Sequence, residues 1–155
     1  EISANRPKYN KAFNQQLRSG DVLMSIKGSV GITALVPDDV PKEGATVIWT
    51  AGQSMMILRP KKRLQISSLA LFEYLSNATV QEHLQSLAGG SAIQTLAMKD
   101  IKSLPIPVPD AGTLTEIERS FSERQTLYDK IEDLEEAVAK SRHNSWPSSQ
   151  LRKSN

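Results

Sequence analysis

Cysteine is absent from this 155-residue chain, and histidine occurs only twice. Without cysteine there are no disulfides and no thiolate metal sites, which suits a cytosolic protein. Two isolated histidines leave little from which to build an acid–base or metal centre. Aromatic residues are scarce at 5%. No apolar run approaches the ~18 residues a membrane span needs, and no charged-then-apolar segment opens the chain, so a signal peptide is not supported either. A Gly-rich phosphate loop, a metal-ligating His/Asp/Glu cluster and a Ser/His/Asp arrangement are all missing.

Acidic pairs do occur. Asp38-Asp39 falls among turn formers, and Glu132-Asp133 falls on the solvated side of a helical pattern. A nuclease needs carboxylates that converge on a divalent metal, and nothing in the spacing brings these together. His83 sits alone on a short amphipathic helical pattern, where a surface or satisfied core histidine is the ordinary outcome. The chain itself is read as non-catalytic, with no metal site.

What is present is ordinary for a folded domain: 39% hydrophobic and 23% charged residues, enough for one domain plus an extension. The net charge of +2 hides an asymmetry. Residues 1–111 carry 12 Lys and Arg against 9 Asp and Glu, a net +3, whereas 112–142 carry 5 against 8, a net −3. A mildly basic body permits nucleic-acid binding only through focused contacts.

The first fourteen residues are polar, with Arg6, Lys8 and Lys11 around Tyr9, and read as a frayed end or a basic arm. Val22–Ile26 and Val30–Val36 are β-branched runs separated by Lys27-Gly28-Ser29, the pattern of a hairpin. Gly28 either makes the turn or leaves room for close approach to the backbone. PDDVPKEG, residues 37–44, is a loop. Ala45–Thr50 and Ser54–Leu58 are two further β runs hinged at Gly52, and Trp49 in the first is better placed in the core than as a base-stacking platform.

Arg59-Pro60-Lys61-Lys62-Arg63 is the densest basic cluster, exposed because burying unpaired charge is prohibitive. It is either a solvated loop or a phosphate clamp. Ser67–Ser76 has helical spacing and ends at Asn77, and Thr79-Val80-Gln81-Glu82 is a capping box that starts a second helix to Leu87. Gly89-Gly90 turn the chain. Ala92–Leu96 then reads as a short strand, Met98–Ser103 as one helical turn, and Pro105–Pro109 as an extended run on a sheet edge or in polyproline geometry. Ser91, Gln94, Thr95 and Lys99 carry donors suited to phosphate or base edges, Gln94 to adenine; alternatively Gln94 and Thr95 merely alternate on a strand.

A second capping box, Thr113-Leu114-Thr115-Glu116, opens the arm. Leu114, Ile117, Phe121, Tyr128, Ile131, Leu134 and Val138 recur at three- and four-residue steps, with Arg124 interrupting, as in a coiled-coil seam. A helix from Thr113 to about Lys140 would be roughly 40 Å long and would overhang a body whose radius of gyration is about 13 Å. The seam residues Ile117, Phe121, Tyr128, Ile131, Leu134 and Val138 therefore need a partner helix beyond the body, the alternative being a helix packed back along its own domain. The tail, 143–155, is small, polar and read as disordered.

GGSAIQTLAMKDIKSLPIPVP, residues 89–109, followed by a heptad helix, together with LRSGDVLMSIKGSVGITALV, residues 17–36, resembles a type I restriction-modification specificity subunit over roughly Leu17–Val138. The chain departs from that family at Asp110–Glu116, where Pro-Pro-Leu and a Glu-Gln pair are usual. The resemblance implies an α+β fold: a small mixed sheet with packed helices forming a target recognition domain, residues 1–111, then a coiled-coil spacer helix, 112–142. It implies sequence-specific contact with double-stranded DNA through Lys27, Ser29, Arg59, Lys61, Lys62, Arg63, Ser91, Gln94, Thr95 and Lys99, and it favours the clamp reading of the basic cluster.

The partners implied are a DNA methyltransferase subunit or domain, which would hold S-adenosylmethionine, and a second recognition half or second copy along the helix. No Asn-Pro-Pro-Tyr methyltransferase run is present in this chain. Its start at Glu1 rather than Met, with few residues before Gly20-Asp21, reads as the carboxy-terminal part of a longer polypeptide such as a fused N-6 adenine methylase. Rival readings are a coiled-coil assembly module that binds no DNA and a metal-dependent nuclease domain.

Overall fold

The structure, a computed structural model, describes residues 15–42, 45–61, 66–90 and 92–144, with the side chains of His143 and Asn144 left aside. The basic arm read in residues 1–14 and the tail from Ser145 lie outside the described residues. The chain divides into two compact units, the first ending at Leu114 and the second beginning at Thr115.

The first unit is built on three strands, β1 (Val22–Ser25), β2 (Thr33–Leu35) and β3 (Met55–Leu58). Their order is β2-β1-β3, with both pairings antiparallel. Val22 faces Leu35 on one side and Leu58 on the other, and Met24 faces Thr33 and Met56. Because successive side chains on a strand point to opposite faces, Val22 and Met24 enter one hydrophobic cluster while Leu23 packs on the other.

The larger cluster joins Val22, Met24 and Val30 to Leu71 and Leu75 of α1 (Ser68–Ser76), Leu84 of α2 (Ala78–Leu87) and Leu96. Met24, Leu75 and Leu84 are fully buried, each stabilising the fold by roughly 1.5–3 kcal/mol relative to exposure. The smaller cluster, Leu17, Val36 and Val40, lies with Leu23, Ala51 and Ile57.

Helix boundaries follow from side-chain acceptors. Ser67 Oγ accepts the Ala70 amide at 3.1 Å and starts α1. Asn77 ends α1 through its own amide to Tyr74 O and starts α2 by accepting the Thr79 amide on Oδ1 at 3.0 Å. The expected capping box at Thr79 is thus displaced by two residues. An Asx acceptor already in extended backbone geometry outcompetes the Thr hydroxyl for the free amides. A short helix, α3 (Met98–Lys102), follows as anticipated, and Tyr74 Oη donates to Pro105 O at 2.7 Å, tying the Pro-alternating run to α1.

Two expected strands do not form. Residues 45–50 contribute only the single bridge between Thr50 and Gln16: the Leu17 amide donates to Trp49 O at 2.8 Å, so the run is held against the Gln16–Leu17 segment rather than along a strand of the sheet. Trp49, expected in the core, is 45% exposed. Ala92–Leu96 is likewise no strand. Gly90 turns at φ +126, with room for no side chain, since an added Cβ would lie 2.3 Å from Ile93 O. The run then pairs only at Thr95, with Gly89 and with Lys27.

The long helix, α4, spans Ala111–Asn144, 34 residues, or roughly 50 Å at 1.5 Å per residue. It begins two residues before the expected Thr113 and runs past Lys140. Asp110, not Thr113, is its cap: Oδ1 accepts the Thr113 amide at 2.8 Å and the Asp110 carbonyl accepts the Leu114 amide at 2.9 Å. The Thr113 amide, with the Thr113 hydroxyl and the Gly112 amide, holds the Asp110 carboxyl below its usual range. Arg119 pairs with Glu116 and Glu123 on the helix surface and keeps Glu116 below its usual range in turn. No helix among the described residues is long and apolar enough to cross a membrane.

Candidate nucleic-acid interface

β1 and β2 form the expected antiparallel hairpin, but a closed loop longer than Lys27-Gly28-Ser29 connects them, from Ser25 to Thr33. Ser25 is buried at its base: its amide donates to Ile32 O, its carbonyl accepts the Gly31 amide at 2.9 Å, and its hydroxyl both accepts the Ile32 amide at 3.0 Å and donates to Ser29 O. Gly28 at φ +81 and Gly31 at φ +91 adopt the left-handed geometry that this closure requires. Val30, 4% exposed, anchors one leg in the core and leaves Lys27, Gly28 and Ser29 exposed at the tip.

A second segment is bound to that tip. The Gly28 amide donates to Gln94 O and the Leu96 amide to Ile26 O, both at 2.9 Å, so Lys27 and Thr95 form an antiparallel bridge. Leu96 is buried beneath it, whereas Lys27, Ser29, Gln94 and Thr95 are all exposed. Two stretches far apart in sequence thereby present one polar surface. Nothing lies within 4 Å of the position a Cβ would take on Gly28, so its backbone is open to close approach. Lys99 is exposed on α3, which begins soon after this segment. Ser91 lies outside the described residues.

The described part of the basic cluster, Arg59 to Lys61, is elsewhere. Leu58 pairs with Val22 and Met55 with Ser25, so Arg59 and Lys61 follow β3 at the end of β1 opposite the Lys27 tip. The strand itself is roughly 10 Å long. Arg59 is also occupied: Nε reaches Asp21 Oδ1 and Nη2 reaches Oδ2, each at 2.6 Å, and Nη2 lies 3.4 Å from Gln16 O. The hydrogen bonds to Asp21, with its charge, raise the guanidinium pKa further against the opposing effect of burial. Arg59 is therefore a structural cation with one face in water, while Lys61 is exposed. Lys62 and Arg63 lie outside the described residues.

Several residues that shape this surface were not singled out from sequence. Asp21, 1% exposed, was visible only as part of the run LRSGDVLMSIKGSVGITALV. Ser25 and Gln81 gave no signal, since a serine ending a strand and a glutamine on a helix are unremarkable without their partners. On α4, Ile117 and Phe121 are half-buried, whereas Tyr128, Ile131, Leu134 and Val138 are about half or more exposed along one stripe. His83 is exposed. Among the described residues there is no group of three or more His, Asp or Glu placed to hold a metal ion.

Comparisons with known proteins match this architecture. Curated proteins gave no match. Among solved structures, the chain is similar to the crystal structure of a type I restriction-modification system S subunit from M. genitalium, with 20% sequence identity and a TM-score of 0.54. The match covers 84% of this chain and 32% of that one, so this chain spans about a third of that subunit's length. At that identity the likeness shows the fold: a small sheet with packed helices and a long carboxy-terminal helix. The family model described as type I restriction modification DNA specificity domain matches residues 2–139, which include the Lys27 turn, the Thr95 bridge and nearly all of α4, and the chain belongs to that family.

Proposed function

We propose that this chain is a sequence-recognition module for double-stranded DNA, directing the separate catalytic subunit or domain of a type I restriction-modification or adenine methylase system to its target. The observation that carries the reading is the Lys27–Thr95 bridge, which joins the open Gly28 tip to Gln94 on one exposed surface. Gln94 can offer a donor and an acceptor to adenine in the major groove, and Lys27 and Lys99 can neutralise flanking phosphates. Lys61, at the other end of β1, stands off by a distance comparable with the ~12 Å groove width and is suited to backbone rather than base contact.

Catalysis, with S-adenosylmethionine, falls to the partner methyltransferase and not to this chain, and the site of action is cytoplasmic, with the genome. The exposed stripe of α4 supports pairing with a second helix, from another copy or another recognition half, which would set the spacing of two half-sites.

The test is a fluorescence-anisotropy titration against a randomised duplex pool at about 50 and 200 mM salt, with sequencing of the retained DNA. Three phosphate contacts, by Lys27, Lys61 and Lys99, predict a roughly fortyfold loss of affinity across that range. A recovered motif supports recognition. Absence of binding at either salt would leave α4 pairing as the chain's remaining role.

A further inference from the structure

The last four carbonyls of a helix have no partner within it. Near the end of α1 one of these, Leu75 O, belongs to a fully buried core residue and accepts from Gln81 Nε2 on α2. The same nitrogen donates to Gly31 O at 2.7 Å. Gln81 Oε1 sits so close to Gly31 that a Cβ there would lie 2.8 Å from it, and Gly31 holds φ +91. One carboxamide thus links the buried end of α1, the body of α2 and the buried leg of the Lys27 turn.

We infer that Gln81 is a positioning residue for sequence discrimination: it fixes the leg from which the exposed Lys27–Ser29 tip projects, and through the Gly28–Gln94 bond it fixes the second reading segment as well. This rests on the DNA-recognition reading above. The tip has few other holds. Ser25 binds Ser29 O and the Ile32 amide, and the Gly28 amide binds Gln94 O. None of these hydrogen bonds reaches a helix; Val30 shares the core cluster with Leu71, Leu75 and Leu84, and among the described residues Gln81 adds the directional hydrogen bonds that join the turn to α1 and α2. A base-reading group must be held to a fraction of an ångström by packed neighbours. Phosphate contacts made by flexible lysines have no such requirement.

The experiment compares the full 155-residue chain with Gln81→Met, nearly the same length without a donor, and with Gly31→Ala, which forces the contact apart from the other side. Two readouts are taken: amide hydrogen exchange at Gly28, Gly31 and Ile32, and the ratio of affinities for the selected duplex and a random duplex. Losing hydrogen bonds to a buried carbonyl and to the turn should speed exchange at the turn about tenfold while β3 and α1 keep their protection. The affinity ratio should fall about tenfold with an unchanged salt slope.

Lys61→Ala is the control, expected to weaken both duplexes alike. Unchanged exchange in Gln81→Met overturns the brace. Faster exchange with an unchanged affinity ratio overturns its role in discrimination. A wild-type chain that selects no sequence, combined with faster exchange in Gln81→Met, refutes the DNA reading while the brace stands.

Discussion

Arg59 and Asp21 meet in a two-point ion pair, Nε to Oδ1 and Nη2 to Oδ2 at 2.6 Å each, with Asp21 1% exposed and Arg59 42% exposed. The pair joins the end of β3 to the start of β1, and Asp21 Oδ2 also accepts the Arg18 amide at 2.8 Å. Its two halves are unequal. Arg59→Ala strands a buried carboxylate, whereas Asp21→Asn strands a guanidinium that water already reaches. Arg59→Ala should therefore cost about 3 kcal/mol, the low end for a broken buried pair, and Asp21→Asn distinctly less. Urea unfolding of both variants checks the order, and equal costs would contradict it.

Because Arg59 is engaged in this way, the salt dependence of DNA binding should come from the exposed lysines. Lys27→Ala, Lys61→Ala and Lys99→Ala should each reduce the slope of log affinity against log salt by about 0.9. Arg59→Ala should change the slope little once its lower stability is allowed for. Anisotropy titrations at several salt concentrations separate the two cases.

Gln94 projects from the segment bridged to the Gly28 tip. Gln94→Ala should relax preference at one base-pair position by about 1–3 kcal/mol and leave discrimination at the other positions intact. Sequencing of selected duplexes reads this directly, and a uniform loss across all positions would assign Gln94 to phosphate contact.

Ile131 and Leu134 are 49% and 66% exposed on α4. Replacing both with Asp should halve the particle mass in light scattering if the stripe pairs with a second copy, while the first unit keeps its thermal transition. An unchanged mass would mean that copies of this chain do not pair through these residues.

Asp110 is held below its ordinary value of 3.8 by the amides it caps. A depressed carboxylate pKa means that the stabilisation is fully present above the ordinary value and is lost as pH falls through the lower folded value. The Thr113 amide resonance should therefore titrate with a midpoint below 3.8. In Asp110→Asn, which keeps an acceptor of similar capping strength, that titration should vanish while α4 keeps its start.

Some features were legible because they depend on local chemistry. Apolar spacing in Ser67–Ser76 and in the arm marks helices, and the glycine and proline punctuation around Gly89 and Pro105 marks where they stop. The caps were less legible. Thr79 and Thr113 fit a capping motif, but Asn77 and Asp110 hold the amides, because the local pattern does not say which of two nearby acceptors the chain geometry will favour. Trp49 differs for another reason: β propensity does not say which backbone a run will meet, and Trp49 and Thr50 meet the Gln16–Leu17 segment at one bridge instead of a strand of the sheet.

The sequence by itself determined the helices, the punctuation between them and the family, all properties of residues near one another in the chain or of motifs read in order. Only the tertiary structure decided which charges are available. It buried Asp21 against Arg59 and so paired one cation of the basic cluster within the fold. It placed Lys27 beside Thr95, and Lys61 at the far end of β1. The physical reason is that ion pairing and hydrogen bonding act over a few ångströms of space, and the pairs that matter here, Asp21 with Arg59, Gly28 with Gln94 and Gly31 with Gln81, are brought within that range only by the packing of β1 between its neighbours and under α1 and α2.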